Sequence, residues 1–139
     1  MGKTEPNAYK AMLTFNKYVD STEITPIHKE LIKIRASQIN GCAYCLNMHT
    51  RDARKIGETE QRIYLLNAWR ETSLFSEEER AILALTEEVT LISGHVSDAT
   101  YSKAVLVLGE LYTSQVIMVA IIINSWNRIA ISTNLPPEA

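Results

Sequence analysis

The chain has 139 residues, of which 46% are hydrophobic and 22% charged, as expected of a globular protein large enough to bury a core. Its net charge of −2 gives no electrostatic reason to expect nucleic acid or an anionic membrane as a partner. The polar N-terminus lacks the apolar core of a secretory signal, and the longest apolar run, Val116 to Ile123, is too short to cross a bilayer. We therefore expect one domain spanning residues 1–139, located in the cytoplasm, with no membrane partner.

The sequence predicts an all-α fold of about six to seven helices, because the alternation typical of strands is absent. Thr25-Pro26 is a helix start, with Thr as the N-cap and Pro at the first helical position. Ser76 and Glu79 form a capping box, and Gly57 is a natural C-terminal cap. The predicted helices run from about Pro6 to Val19, Pro26 to Ile39, Cys42 to Gly57, Thr59 to Glu71, Ser76 to Ile92, Asp98 to Leu108 and Ser114 to Thr133.

The last predicted helix is apolar on nearly all sides, which is typical of a helix that is buried all round. Two interpretations are compatible with this pattern. The helix forms the centre of the core, or part of its surface packs against another subunit, and one does not exclude the other.

The segment Cys42-Ala43-Tyr44-Cys45-Leu46-Asn47-Met48-His49 contains the only two cysteines of the chain, with a histidine four residues beyond the second. In a cytoplasmic protein an isolated Cys-x-x-Cys pair is more often redox-active or metal-binding than a structural crosslink. The neighbouring imidazole can accept or supply a proton. The segment therefore favours redox chemistry.

A helical wheel separates this segment into an inner and an outer face. The inner face holds both thiols and the imidazole, and its members are Cys42, Cys45, Leu46, His49, Ala53 and Ile56. The outer face is polar and consists of Asn47, Arg51, Arg54 and Lys55. Side chains three residues apart have Cβ atoms roughly 5–6 Å from each other, so a modest local adjustment would close a disulfide.

The residues leave open which thiol attacks a substrate. The N–H groups at a helix start favour a thiolate, which predicts that Cys42 is the more acidic thiol. His49, however, follows Cys45 by one turn and is placed for proton transfer with Cys45 alone.

Glu30 is the predicted fourth member of the site. It lies at the edge of the apolar stripe on the second helix, and a carboxylate facing a core is a candidate acid or base. Hydrogen-bonded to His49, it would fix the tautomer of the imidazole. Arg35 falls within the same apolar arc, either as a buried ion-pair partner or with its stem extended toward solvent.

The remaining candidates have structural interpretations. His28 and His95 lack chemical neighbours in the sequence, so we expect them at the surface. Tyr44 lies on the other face of the wheel, which favours packing or a subunit contact. Trp69 and Trp126 are predicted core aromatics.

The sequence resembles the alkylhydroperoxidase (AhpD-like) and carboxymuconolactone decarboxylase family. The resemblance rests on the segments ELIKIRASQINGCAYCLNMHTRDARKIGETEQR, AWRET, SEEERAILALTEEVTLI and SWNRIA. The family pattern Glu-x11-Cys-x2-Cys-x3-His is met by Glu30, Cys42, Cys45 and His49.

The resemblance implies an all-helical homo-oligomer, a trimer or a hexamer, with peroxidase activity that uses no haem, metal or other cofactor. Cys45 would attack an organic hydroperoxide or hydrogen peroxide, and Cys42 would resolve the sulfenic acid to a disulfide. His49 and Glu30 would form the proton relay. A dithiol, dihydrolipoamide or a thioredoxin-like protein, would reduce the disulfide.

The chain departs from the family pattern at Tyr44, because some family members carry a second histidine between the cysteines. Three different functions also fit parts of the sequence. A decarboxylase-like activity is a weaker match than a peroxidase, because that branch of the family typically lacks the cysteine pair. A redox switch would use the disulfide without turnover, and a zinc protein would bind the metal through Cys42, Cys45, His49 and Glu30.

Overall fold

The computed structural model describes all 139 residues and contains no β-strand. The predicted all-α fold is confirmed. Its α-helices are α1 Pro6–Asp20, α2 Pro26–Asn40, α3 Ala43–Lys55, α4 Glu60–Tyr64, α5 Glu77–Thr90, α6 Asp98–Leu108 and α7 Glu110–Ser132. Two 3₁₀ segments, Leu66–Glu71 and Ile92–Gly94, follow α4 and α5.

The helix starts follow local side-chain chemistry. The hydroxyl groups of Thr25, Thr59 and Ser97 each accept a hydrogen bond from the backbone N–H three residues on. The capping box of Ser76 and Glu79 is present in both directions. The predicted starts of α2, α4, α5 and α6 are therefore confirmed.

Two helix boundaries differ from the prediction by more than two residues. The continuous fourth helix is wrong, because α4 ends at Tyr64 and a 3₁₀ segment with non-helical dihedral angles at Ala68 follows it. The last helix begins at Glu110 rather than Ser114. Gly109, at a φ of 83°, ends α6 and allows α7 to start at the next residue.

Helix α2 lies between two parts of the core. Its Leu31 and Ile34 face a cluster of side chains from α3, α4, the first 3₁₀ segment and α5. Its Ile32 faces the other way, into a cluster built mainly from α5, α6 and α7. Because α2 packs against other helices on two of its faces, its position in the fold is fixed. The turn that follows it, between α2 and α3, is positioned accordingly.

Helix α7 forms part of the core, as the first of the two interpretations of its apolar sequence predicts. It packs against α1, α2, α5 and α6, and its buried side chains include Val116, Val119 and Ile122. Ile121 and Ile131 on the same helix stay exposed. By length and composition α7 would also suit a membrane span, a test that the core helix of a soluble protein passes equally.

Candidate active site

The two cysteines lie at the tight connection between α2 and α3. Gly41, in the left-handed region at φ 69° and ψ 39°, ends α2. Cys42 is the N-cap of α3, and its Sγ accepts a hydrogen bond from the backbone N–H of Cys45 at 3.3 Å. Cys42 and Cys45 are joined as a disulfide, with Cα atoms 5.3 Å apart. The prediction that this pair can close is confirmed.

The disulfide is almost completely buried. Cys42 is 1% exposed and Cys45 is 3% exposed. They share a small core cluster with Ala36 of α2 and Ile123 and Ala130 of α7. The inward orientation predicted for both sulfur atoms is therefore confirmed.

Ile56 does not share this inner face, and its predicted burial is wrong. It lies beyond the last helical turn of α3, as the C-cap residue, and is exposed. The wheel extrapolates helical geometry past the residue at which the helix ends.

Glu30 of α2 and His49 of α3 are joined by a hydrogen bond. The distance from His49 Nδ1 to Glu30 Oε2 is 3.0 Å, and both side chains are mostly buried. This contact matches the prediction made for Glu30. A carboxylate at Nδ1 favours the tautomer that carries its proton there, which leaves Nε2 as the free acceptor. No hydrogen bond joins His49 to either sulfur atom in the disulfide form, although the sequence spacing suggests direct proton transfer with Cys45.

Asp52 is a further group beside this pair that the sequence pattern does not single out. It lies one turn after His49 on α3, and its carboxylate has no hydrogen bond with another side chain. Ligand atoms of Glu30, His49 and Asp52 all lie within 4.8 Å of one another, so these three residues could hold a metal ion. The helical spacing of His49 and Asp52 would have been the signal for finding this group.

The four-residue zinc site requires both sulfur atoms as free thiolates. In the disulfide neither sulfur is available to a metal. That ligand set can therefore form only after reduction.

Arg35 lies outside the redox site, in a buried ion pair. Its Nε donates to Glu87 Oε2 at 2.8 Å. Trp69 and Arg70 also donate to the Glu87 carboxylate, at 3.0 and 2.6 Å. Burial alone would raise the pKa of Glu87, but hydrogen bonds from Arg70, Arg35 and Trp69 outweigh it and hold the pKa below its usual range. Of the two interpretations for Arg35, the structure selects the ion pair.

His28 is mostly buried, so its predicted place at the surface is wrong. A hydrogen bond of 2.7 Å joins its Nδ1 to the hydroxyl of Tyr112 on α7, and its Nε2 is 3.7 Å from Glu79. Burial lowers the pKa of His28, although the nearby Glu79 acts in the opposite direction. Its buried environment depends on α7, which is distant in sequence. His95 is exposed, as predicted.

Tyr44 packs against the cysteine cluster and meets the C-terminal tail. Its hydroxyl donates to Glu138 Oε1 at 3.5 Å, and Asn47 Nδ2 donates to the backbone oxygen of Glu138 at 2.8 Å. Burial and the Glu138 carboxylate raise the pKa of Tyr44. These contacts agree with the packing interpretation.

The two tryptophans differ in burial. Trp69 is a core residue, as predicted. Trp126 is only partly buried and packs on the core, where its Nε1 donates to Asn16 at 3.0 Å. An indole at the edge of the core can keep its N–H satisfied.

Comparison with known proteins supplies the context for this geometry. The uncharacterized protein YdfG of Bacillus subtilis is 48% identical over 128 residues, which span 91% of this chain and 87% of YdfG. A solved structure from Agrobacterium tumefaciens is 34% identical, with a TM-score of 0.95 over 99% of this chain and 95% of the other. That protein is of unknown function, and its name suggests an AhpD antioxidant defence protein.

A more distant structure has the same fold. An uncharacterized peroxidase-related protein from Ralstonia eutropha, described as an alkylhydroperoxidase AhpD core, is 17% identical, with a TM-score of 0.83 over 96% of this chain and 72% of the other. Residues 6–88 match the model of the carboxymuconolactone decarboxylase family. The chain therefore belongs to the AhpD-like and carboxymuconolactone decarboxylase family.

Proposed function

We propose that this protein is a thiol peroxidase that reduces organic hydroperoxides or hydrogen peroxide through the Cys42–Cys45 pair. The observation that carries the proposal is a buried disulfide one helical turn from an imidazole held by a carboxylate. The AhpD-related names of structural relatives agree with it.

In the proposed reaction the Cys45 thiolate attacks the peroxide oxygen that bears hydrogen, and the O–O bond breaks. An alcohol or water leaves, and Cys45 becomes a sulfenic acid. Cys42 then attacks the sulfenic sulfur, which forms the disulfide and releases water. A dithiol such as dihydrolipoamide, or a thioredoxin-like protein, supplies two electrons and two protons to restore both thiols.

His49 and Glu30 are the proposed proton relay. Nε2 of His49 would accept the Cys45 proton and return it to the departing alkoxide. Glu30 would hold the proton on Nδ1 and stabilise the imidazolium that forms. Because His49 makes no hydrogen bond with a sulfur atom in the disulfide form, the transfer needs either a bridging water or a new position of the Cys45 thiol after reduction.

The test is peroxide consumption by the full chain, with dihydrolipoamide and thioredoxin systems compared side by side. Cys45→Ser should abolish turnover. Cys42→Ser should allow one turnover and leave a Cys45 sulfenic acid that dimedone traps. Full activity in Cys45→Ser would disprove the proposal.

Met48 offers a matched control on the same helix. Its exposed thioether can itself consume peroxide. If peroxide loss came from methionine oxidation, Met48→Leu would lower it. The proposed thiol cycle does not use Met48, so Met48→Leu should retain catalytic turnover.

Three further assays distinguish a peroxidase from the competing functions. Decarboxylation of carboxymuconolactone by the pure protein would favour the other reaction of the family name, which requires no disulfide. One peroxide consumed per disulfide, with neither reductant able to restore the thiols, would favour a redox switch. One tightly held zinc ion per chain in reduced protein purified without chelator would favour the metal site.

We also propose that the protein acts in the cytoplasm as a homo-oligomer, a trimer or a hexamer. Exposed apolar side chains support a subunit contact. Leu91, Ile92, Tyr101 and Ile121 lie at or near an apolar groove of about 500 Å³ between α5, α6 and α7.

A further inference from the structure

A network of amide side chains, buried at Asn124 and Asn127 and partly buried at Asn40, joins the end of α2 to α7. Asn40 Nδ2 donates to Asn124 Oδ1 and to Asn127 Oδ1, both at 2.9 Å. Asn127 is fully buried, and its Nδ2 donates to Ser37 Oγ at 3.0 Å. Asn124 Nδ2 donates onward to Thr90 Oγ1 of α5 at 3.1 Å. Buried amides with satisfied hydrogen bonds restrict neighbouring backbone to one arrangement.

Two members of this network, Ser37 and Asn40, lie in the last turn of α2, directly before the connection that carries Cys42. Asn40 is the last residue of α2, and Gly41 and Cys42 follow it. The carbonyl oxygen of Ser37 accepts from the N–H groups of both Gly41, at 2.9 Å, and Cys42, at 3.1 Å. Asn124 and Asn127 therefore hold this connection through Asn40 and Ser37.

The connection between α2 and α3 places the Cys42 side chain against the start of α3. The Cys45 N–H points at Cys42 Sγ, 3.3 Å away. After reduction the same N–H group and the first turn of α3 would stabilise a Cys42 thiolate. That stabilisation requires the Cys42 sulfur to stay close to the Cys45 N–H group and the first turn of α3.

We propose that Asn40, Asn124 and Asn127 are positioning residues that set the equilibrium between the disulfide and the dithiol at Cys42–Cys45. This inference rests on the proposed redox cycle, but it concerns the thiol–disulfide equilibrium and requires no peroxide.

The direction of the effect follows from what restrains Cys42 in each redox state. In the oxidised protein the S–S bond itself holds Cys42 near Cys45. In the reduced protein that bond is gone, and Cys42 is held against the first turn of α3 by the amide network together with the backbone hydrogen bonds from Gly41 and Cys42 to Ser37. Loss of the network therefore destabilises the dithiol more than the disulfide and makes the disulfide harder to reduce.

The experiment is an anaerobic titration of the full chain with mixtures of reduced and oxidised dithiothreitol. The reduced fraction is read by mass after thiol alkylation. Two electrons and two protons pass from dithiothreitol to the protein disulfide, and dithiothreitol becomes its cyclic disulfide. Asn40→Ala and Asn127→Ala should raise the ratio of reduced to oxidised dithiothreitol at half-reduction about tenfold, a potential about 30 mV more negative.

Thr113→Val is the matched control. Thr113 is fully buried on α7, and its hydroxyl has no hydrogen-bond partner, so this variant changes a buried polar group without removing a network contact. Its half-reduction ratio should equal that of the unmodified protein. An equal shift in Thr113→Val, or an unchanged ratio in folded Asn40→Ala, would overturn the inference.

Thermal unfolding of both redox forms separates positioning from general destabilisation. Asn40→Ala should lower the melting temperature of the reduced protein more than that of the oxidised protein. Equal losses would contradict the inference. Should Asn127→Ala fail to fold, Ser37→Ala removes the Oγ acceptor of the same network and should show the same direction of shift. A protein inactive toward peroxides can still pass this test, so failure here and failure of the proposed function are distinguishable.

Discussion

At the scale of single residues, the candidate site combines a local pair with one distant contact. His49 and Cys45 lie one turn apart on α3, so their proximity follows from helix geometry. Glu30 comes from α2 and meets His49 only because the two helices pack together. Its place at the edge of an apolar stripe makes it a candidate in the sequence, whereas its catalytic role stays a prediction.

The relay predicts unequal effects for its two members. His49→Gln should reduce kcat/KM for peroxide by at least about 100-fold, because it removes the proposed base. Glu30→Gln should have a smaller effect in the same direction, since the imidazole remains. Steady-state peroxide consumption across pH measures both.

Asp52→Asn is the control for this prediction. Its carboxylate lies beside Glu30 and His49 without a hydrogen bond to either. Activity should stay close to that of the unmodified protein. An equal loss in Asp52→Asn and Glu30→Gln would indicate a general effect of local charge rather than a relay.

At the scale of elements, the connection between α2 and α3 depends on the backbone freedom of Gly41. Its φ of 69° lies in the left-handed region, and a Cβ built there would meet no atom within 4 Å. Gly41→Ala should therefore destabilise the protein through backbone strain alone, by about 1–2 kcal/mol. Chemical denaturation measures this loss in free energy of unfolding.

Gly94→Ala and Gly41→Asn are the comparisons. Gly94 lacks a positive φ and has similar open space around it, so its substitution should change stability little. Asn tolerates the left-handed region better than Ala does, so Gly41→Asn should lose less stability. A harmless Gly41→Ala would show that the connection can adopt another conformation.

At the scale of the whole molecule, Glu87 joins separate parts of the chain. Its carboxylate on α5 accepts hydrogen bonds from Arg35 on α2 and from Trp69 and Arg70 on the first 3₁₀ segment. Glu87→Gln should cost about 1.5–3 kcal/mol of unfolding free energy, the range for hydrogen bonds to a charged group. Glu77→Gln removes an exposed ion pair with Lys103 and should cost less than about 1 kcal/mol.

Glu87 also predicts a pH dependence of stability. Because its pKa is lower in the folded protein than in the unfolded chain, its contribution is complete above the unfolded value. The contribution is lost as pH falls from about 4.5 through the folded pKa. Thermal unfolding from about pH 7 to about pH 3 should therefore show a shallower acid loss in Glu87→Gln, and an unchanged slope would contradict the role assigned to this carboxylate.

The exposed apolar groove predicts an assembly. Light scattering coupled to size exclusion should give a trimer or a hexamer, and Ile92→Glu should shift the population toward the monomer. Leu106→Glu is the control, because Leu106 is exposed but does not line the groove. A monomer at micromolar concentration in the unmodified protein would disprove the proposed oligomer.

The sequence by itself determined the helices, most of their starts and the grouping of Cys42, Cys45 and His49. Each of these depends on residues a few positions apart, whose relative places follow from hydrogen bonding and helix geometry. Only the tertiary structure decided that His28 is covered by Tyr112, that Arg35 pairs with Glu87, and that Asn40 meets Asn124 and Asn127. Such contacts join residues 52 to 87 positions apart, and they depend on how helices pack, which no local spacing encodes.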